Sequence, residues 1–381
     1  MEFRFSEEQE FFRRQVREVV DGMIVPRAGE IDVGGEFPRE LWDEFAALGY
    51  FGLGHPEEFG GQGADTTTSM IFFEELARGS VGFSMAVTVQ MLMGTYFLAR
   101  FGSDGVVERC LKPAIRGEKL AAVCFTENQS GSDLGGTRTT ATRDGDDWII
   151  HGAKQWVTNG PISDFCTVLA TTDREKGLKG LDFFLVETDR PGVTRGPGFA
   201  KLGSRGSATG ELVFDQVRVP GECFLGDQVG NGVRHTTDIL NVVRVMTGLN
   251  ACAIAQTAME EGRRYAGERE AFGRPIGAFQ LIRAKFGKFY AQHEAARTLL
   301  YRVAWMIDEG EACQKEAMAA KYLATEMCLE AVDEVTRVLG AAAFAREYPA
   351  ERYFRDARFL LYGGGTHEVL LNYLGRLFLE G

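Results

Sequence analysis

The chain has no Cys-x-x-Cys pair: its seven cysteines, at 110, 124, 166, 223, 252, 313 and 328, lie mostly inside apolar runs. This argues against a disulfide framework or a paired-thiol redox centre and reads as buried, reduced thiols. Histidine is scarce, five in 381 residues and scattered, so no metal cluster is expected. Positive charge is short as well. With 42 basic against 54 acidic residues the formal charge is −12, which argues against electrostatic capture of nucleic acid or of an anionic membrane. No stretch approaches the roughly 18 apolar residues of a membrane span, and residues 1–5 lack the apolar core of a secretory signal. Internal repeats and low-complexity tracts are missing too. The expectation is a cytoplasmic soluble protein, long enough for two or three domains.

Patterning changes twice along the chain. Ser6-Glu7-Glu8-Gln9 has the Ser-x-x-Gln form of a capping box, and Phe11, Phe12, Val16, Val19 and Val20 follow at helical spacing. Further helix is expected at Pro38-Arg39-Glu40-Leu41-Trp42, with proline near the first turn, and over 67–78, ahead of an apolar segment at 81–101. From residue 119, β-branched and aromatic runs alternate with turn signals, predicting strands at 121–125, 139–142, 148–152, 166–171, 181–186 and 211–219. Asp144-Gly145-Asp146 makes a hairpin between the second and third. After Gly232, long helices are expected at 234–267, 278–309, 311–340 and 366–379, with the short links of a bundle. The reading is an α+β chain: an N-terminal helical domain (1–118), a middle β-barrel-like domain (119–222) and a C-terminal four-helix bundle (223–381).

Four stretches carry candidate chemistry. Thr126, Ser130 and Ser132 offer hydroxyls around Gly131, where a backbone can approach a phosphate or ring edge; a plain loop is the competing reading. Trp156 and Thr158 would share one face of a strand, so an indole could stack on a flat ring beside a hydroxyl, unless the Trp is simply core. Arg269, at a helix end, could bind a pyrophosphate in two-pronged fashion or pair with Glu268 or Glu270 on the surface. Gly363-Gly364-Gly365, just before a helix, is costly in backbone entropy, and close approach of a ligand is a reason to keep it. The polar Pro56-Glu57-Glu58-Phe59-Gly60-Gly61-Gln62-Gly63 loop reads as a plain surface connection, with a role at a site mouth as the competing reading.

Taken together, these pieces resemble the acyl-CoA dehydrogenase family of flavoenzymes, end to end. The matching motifs are the Pro-Glu-Glu-Phe-Gly-Gly-Gln-Gly loop, Thr126-Glu127-x-x-x-Gly131-Ser132-Asp133, Trp156-Val157-Thr158-Asn159-Gly160, Arg269-x-x-Phe272-Gly273, Arg355-Asp356-Ala357 and Gly365-Thr366-x-Glu368. The resemblance implies FAD held by Phe125, Thr126 and Ser132, with Trp156 and Thr158 against its ring. It also implies Arg269, Phe272, Gln280 and the 337–341 segment, with Arg337, Gly340 and Ala341, on the dinucleotide across a subunit boundary of a homotetramer, a dimer of dimers. Thr366 and Glu368 would complete the FAD site. Ser132, Asn241, Val243, Arg244, Gly364 and Gly365 would line the acyl thioester, of CoA or a carrier protein, and electrons would pass to an electron-transferring flavoprotein.

Family chemistry needs a carboxylate base, either immediately before the final Gly-Thr or on the first bundle helix. Those positions here are Gly364 and Val243, and neither takes a proton. The helix near 88–91, Thr88-Val89-Gln90-Met91, offers no acid, and Asp238 should face away from Val243. Glu368 is the nearest carboxylate in sequence and the weak candidate for a base. The expected activity is therefore a flavin oxidoreductase of acyl thioesters with a non-standard or absent base. The alternatives are a flavin monooxygenase of related fold and a non-catalytic subunit of a heteromeric enzyme. Asn128-Gln129 and Ala341-Ala342-Ala343 also depart from the family pattern beside the flavin.

Overall fold

The computed structural model describes residues 4–380, so most of the N-terminal 1–5 segment lies outside the described residues. The first helix, α1 (Glu7–Val19), begins at the expected capping box: the Ser6 hydroxyl accepts from the Gln9 amide while the Gln9 side chain accepts from the Ser6 amide. Helices α2 (Ala28–Gly34), α3 (Arg39–Ala46), α4 (Thr66–Gly79), α5 (Val81–Thr88) and α6 (Tyr96–Phe101) follow. Pro38 is the N-cap of α3 rather than a residue of its first turn. Phe45, Phe51, Phe72, Phe73 and Phe83 fill the core between these helices.

Seven strands form the middle unit: β1 (Ala121–Cys124), β2 (Thr140–Asp144), β3 (Asp147–Thr158), β4 (Phe165–Thr171), β5 (Leu181–Glu187), β6 (Val193–Gly198) and β7 (Thr209–Val219). They run in the order β1-β4-β2-β3-β7-β6, with β5 antiparallel to β4. The β2–β3 hairpin turns where expected, with Asp144 opposite Asp147 and Gly145 at φ 62°. Two differences from the sequence reading have local causes. β6, with Gly196, Pro197 and Gly198, is a mostly exposed edge strand that shows no apolar alternation. β3 runs on past residue 152 to Thr158 through two register shifts, which break the period-two pattern. A stack of Phe97 on Phe183, centroids 4.0 Å apart, joins the sheet to the helical unit before it.

The bundle contains α7 (Gly232–Glu268), α8 (Gln280–Asp308), α9 (Gln314–Leu339) and α11 (His367–Glu380), with a short α10 (Ala350–Ala357) that the sequence reading lacks. α7 is buried continuously from Val243 to Ala255, so it is the axis of the bundle. This corrects one expectation: Val81–Phe101 and Gly232–Glu268 both reach span-like length and hydropathy, but 83% and 78% of those windows are buried in the protein, and their apolar character is that of core helices. All seven cysteines are free and buried.

Candidate active site

The loop leaving β1 is fixed by an ion pair hidden beneath it. Lys154 on β3 is fully buried, and its Nζ donates to Glu127 Oε1 (2.8 Å) and to the Phe125 carbonyl (3.0 Å). Glu127 also accepts from the amides of Arg138 (2.8 Å) and Thr139 (3.0 Å) and from the Gln129 side chain. Burial works against the Glu127 charge, but Lys154 and these donors still hold its pKa below the usual carboxylate range; burial pulls Lys154 down. The Gln155 amide then ties the loop to β3 through the Thr126 carbonyl (2.8 Å). Phe125 and Thr126 are left half-buried and Ser132 exposed at the loop's edge. Sequence reasoning passed over Glu127 and Lys154 as functional supports, although Lys154 shares the inward parity of Trp148 and Ile150.

Trp156 is 61% exposed, so the core reading of this indole is wrong. Its φ is 58°, and the register with β7 slips between Lys154 and Val157; the bulge sends Val157 inward and leaves Trp156 and the half-buried Thr158 off the core. Five non-glycine residues among those described have positive φ, and two of them are exposed aromatics: Trp156, and Phe272 at φ 55° and 95% exposure. Such a backbone costs about 1–3 kcal/mol, and each ring keeps one aromatic neighbour, Phe199 for Trp156 and Phe279 for Phe272, while most of its surface stays open, which fits aromatic surfaces held out for a ligand. The donor set around Trp156 and the cation at Arg269 suit FAD, a flat ring system with a pyrophosphate.

The acyl end is built where α7 meets the glycine loop. A Cβ on Gly364 would lie 3.7 Å from Val243 Cγ1 and 3.4 Å from Arg244 Cγ, so the two positions expected to supply a base are neighbours, and both are apolar. Between them sits Arg244, buried, with Nε donating to the Gly364 carbonyl (3.1 Å) and a terminal nitrogen to Asn241 Oδ1 (3.2 Å). No carboxylate pairs with it among the described residues. Burial lowers its pKa to about 10, against upward pulls from Tyr373 and Cys313. Glu368 is exposed, and its own backbone amide and Thr366 lower its pKa, the reverse of what a proton acceptor in a dry pocket needs. Asp238 is exposed and on a different face of α7 from buried Val243, while Gln90 spends its side chain on the backbone of Ala114, Lys119 and Ala121.

A third group stands apart. Arg269, Phe272 and Gln280 are exposed at the far end of α7, 25 residues beyond Val243 at Glu268, which is roughly 37 Å along a helix. Arg269 makes no ion pair among the described residues, either with Glu270 or with Glu268, which pairs with Arg264 (2.9 Å). The surface-pair reading of Arg269 therefore fails. Arg337 pairs with Asp333 (2.7 Å), and Gly340 (φ 62°) and Ala341 are exposed beside it.

Comparisons with known proteins cover the whole architecture. Residues 6–118, 122–217 and 230–379 match the N-terminal, middle and C-terminal domains described as acyl-CoA dehydrogenase. The chain is 42% identical over 370 residues to a benzylmalonyl-CoA dehydrogenase of Aromatoleum aromaticum, covering 97% of each chain. It is 37% identical to a 3-(aryl)acrylate reductase of Clostridium sporogenes, covering 96% of this chain and 97% of the other. The structure of butyryl-CoA dehydrogenase from Megasphaera elsdenii superposes with a TM-score of 0.95 at 32% identity, over all of both chains.

Proposed function

The chain belongs to the acyl-CoA dehydrogenase family, FAD-dependent oxidoreductases acting on the CH–CH bond of acyl thioesters, and from that premise we propose that its own substrate is a 3-aryl acyl-CoA carrying a carboxylate on C2. One observation carries this reading: Val243 and Gly364, the two base positions, adjoin each other beside a buried arginine with which no carboxylate pairs among the described residues. The names of the two curated relatives share an aryl group on C3, and one of them adds the C2 carboxylate.

When bound, FAD supplies the acceptor for the hydride that leaves C3. In an ordinary substrate a base must take the C2 proton; with a C2 carboxylate, the C2–carboxyl bond breaks instead, its electron pair stays on C2 as the thioester enolate, and CO2 leaves. The pair then forms the C2=C3 bond as the hydride departs. Gly364 leaves the volume that a glutamate side chain would fill, and buried Val243 walls it with apolar surface, which favours an uncharged leaving group over a carboxylate. Arg244 and Asn241 admit and orient the anionic substrate.

This reading assigns Phe125, Thr126, Ser132, Trp156, Thr158, Thr366 and Glu368 to FAD contacts of one chain, and Ser132, Asn241, Val243, Arg244, Gly364 and Gly365 to the substrate. Glu368 has no base role in it. Arg269, Phe272, Gln280, Arg337, Gly340 and Ala341 would serve the dinucleotide of a second copy, which their distance from Val243 and the exposure of Phe272, Leu281 and Phe344 support. The assembly is then a homotetramer, cytoplasmic as its reduced cysteines suit, with an electron-transferring flavoprotein as acceptor. Arg269→Ala is expected to weaken FAD retention about tenfold, the worth of one charge-assisted contact, read as the flavin-to-protein ratio after dialysis. Unchanged retention removes Arg269 from the site.

The test of the substrate class is anaerobic mixing with benzylmalonyl-CoA and with 3-phenylpropanoyl-CoA, its counterpart without the carboxylate. The first should bleach the flavin and release one CO2 per flavin; the second should react about a thousandfold more slowly, the worth of a missing base. Equal bleaching by both defeats the proposal. The monooxygenase and the non-catalytic subunit are not favoured, since the relatives named are dehydrogenases and a reductase.

A further inference from the structure

Behind the glycine loop lies a second buried cation that the chemistry above leaves unused. Lys321, on α9, is fully buried, and its Nζ donates to the carbonyls of Gly365 (3.0 Å) and Leu361 (3.5 Å), with no carboxylate in ion-pair range among the described residues. Arg244 grips the preceding carbonyl, that of Gly364. The peptides here are all trans, so the N–H that follows each gripped carbonyl points the opposite way. Those are the amides of Gly365 and Thr366, and neither donates to the protein among the described residues. Each cation thus turns the N–H that follows its carbonyl away from itself, and free backbone N–H groups held in this way receive negative charge in a dry site. A turn alone would not require this, because a neutral donor could satisfy the same carbonyls without a buried charge.

We propose that Lys321 is a positioning residue of the acyl-thioester site, holding the 361–366 loop so that the Gly365 and Thr366 amides face a bound oxygen. It touches no ligand and acts through the loop. The proposal rests on the Val243–Gly364 contact being the acyl end of the site, and not on the substrate carrying a C2 carboxylate.

The charged groups around Lys321 are Arg244 on α7, His367 and Glu368 on α11, and Glu326 on its own helix. Burial, then Arg244, lowers its pKa to about 8, against Glu368 and Glu326. As pH rises through 8 the ammonium is lost and its grip weakens. Fold stability moves the other way: the penalty for burying the charge is full below the folded pKa and shrinks as pH rises from about 8 toward the ordinary 10.5. Opposite signs separate positioning from mere structure.

The test measures the affinity of the FAD-loaded protein for cinnamoyl-CoA, an unsaturated thioester that needs neither base nor decarboxylation, by calorimetry alongside thermal melts. From neutral pH to about 10, affinity should fall about tenfold with its midpoint near 8 while the melting temperature does not fall with it. Lys321→Arg, always charged, should flatten the alkaline limb, and Lys321→Met should bind about tenfold more weakly even at neutral pH. A flat wild-type curve overturns the proposal, as does an alkaline limb surviving in Lys321→Arg or wild-type affinity in Lys321→Met. Should a variant fail to fold, the wild-type curve still decides.

Discussion

Val243→Glu is expected to open oxidation of 3-phenylpropanoyl-CoA and to suppress turnover of benzylmalonyl-CoA. Val243 is buried in regular helix, so a glutamate there meets no backbone strain, and its carboxylate would enter the space beside Gly364. Desolvation would raise its pKa toward that of a useful base, and Arg244 would limit the rise. A positioned base is worth 10²–10⁴ in rate, so a gain of about a hundredfold in kcat/KM on the uncarboxylated thioester is expected. The carboxylated one should lose a similar factor, because two carboxylates cannot both stay charged in one dry pocket. Gly364→Glu is the poorer graft. A Cβ there would make only ordinary contact, 3.4 Å from Arg244 Cγ, but Gly364 sits at φ 71°, so a side chain costs about 1–2 kcal/mol of backbone strain before it acts. Steady-state kinetics on both thioesters, with flavin content matched to wild type, decides: no gain in a folded, FAD-loaded Val243→Glu defeats the idea that the missing base defines this enzyme.

How far the sequence led depends on which physical signals are local. The Ser6/Gln9 capping box and the Gly145 turn are local, and both formed as expected, because a hydroxyl three residues from an amide or a glycine at a positive-φ corner needs no distant partner. The order helical, β, helical was legible from periodicity. The β3 bulge was not: Trp156 and Thr158 were paired by strand alternation, whereas their placement off the core comes from a left-handed residue and a register slip against β7, more than fifty residues away. Candidate site residues named for their own chemistry, such as Arg244 and Trp156, could be found from motif and spacing. Supports such as Lys154 and Lys321 could not, since a lysine is ordinarily solvated and only tertiary packing shows that these two are fully buried. The adjacency of Val243 and Gly364, 121 positions apart, likewise exists only in the fold.

Lys154→Met should be the most destabilising single change beneath the loop that leaves β1. It leaves the Glu127 carboxylate buried with two backbone amides and no cation, and breaking such a pair from one side costs about 3–5 kcal/mol. Glu127 would answer by taking a proton, which turns one of its acceptors into a donor and frees the Arg138 or Thr139 amide. The loop that carries Phe125, Thr126 and Ser132 then loses the anchor at its base, so FAD retention should fall with stability. The expected drop in melting temperature is on the order of 10 °C. The pair also sets an acid limit. With the folded pKa of Glu127 held below its unfolded value, its contribution is present above the ordinary carboxylate range and is lost as pH falls through that depressed pKa, a loss Lys154→Met should no longer show. Removing both charges separates a paired anchor from simple packing. In Glu127→Gln/Lys154→Met no carboxylate is stranded, and most of the lost stability should return even though two native side chains are gone. Wild-type stability in the single variant, or a double variant no more stable than it, would show that the loop is held by its backbone hydrogen bonds and not by this buried charge.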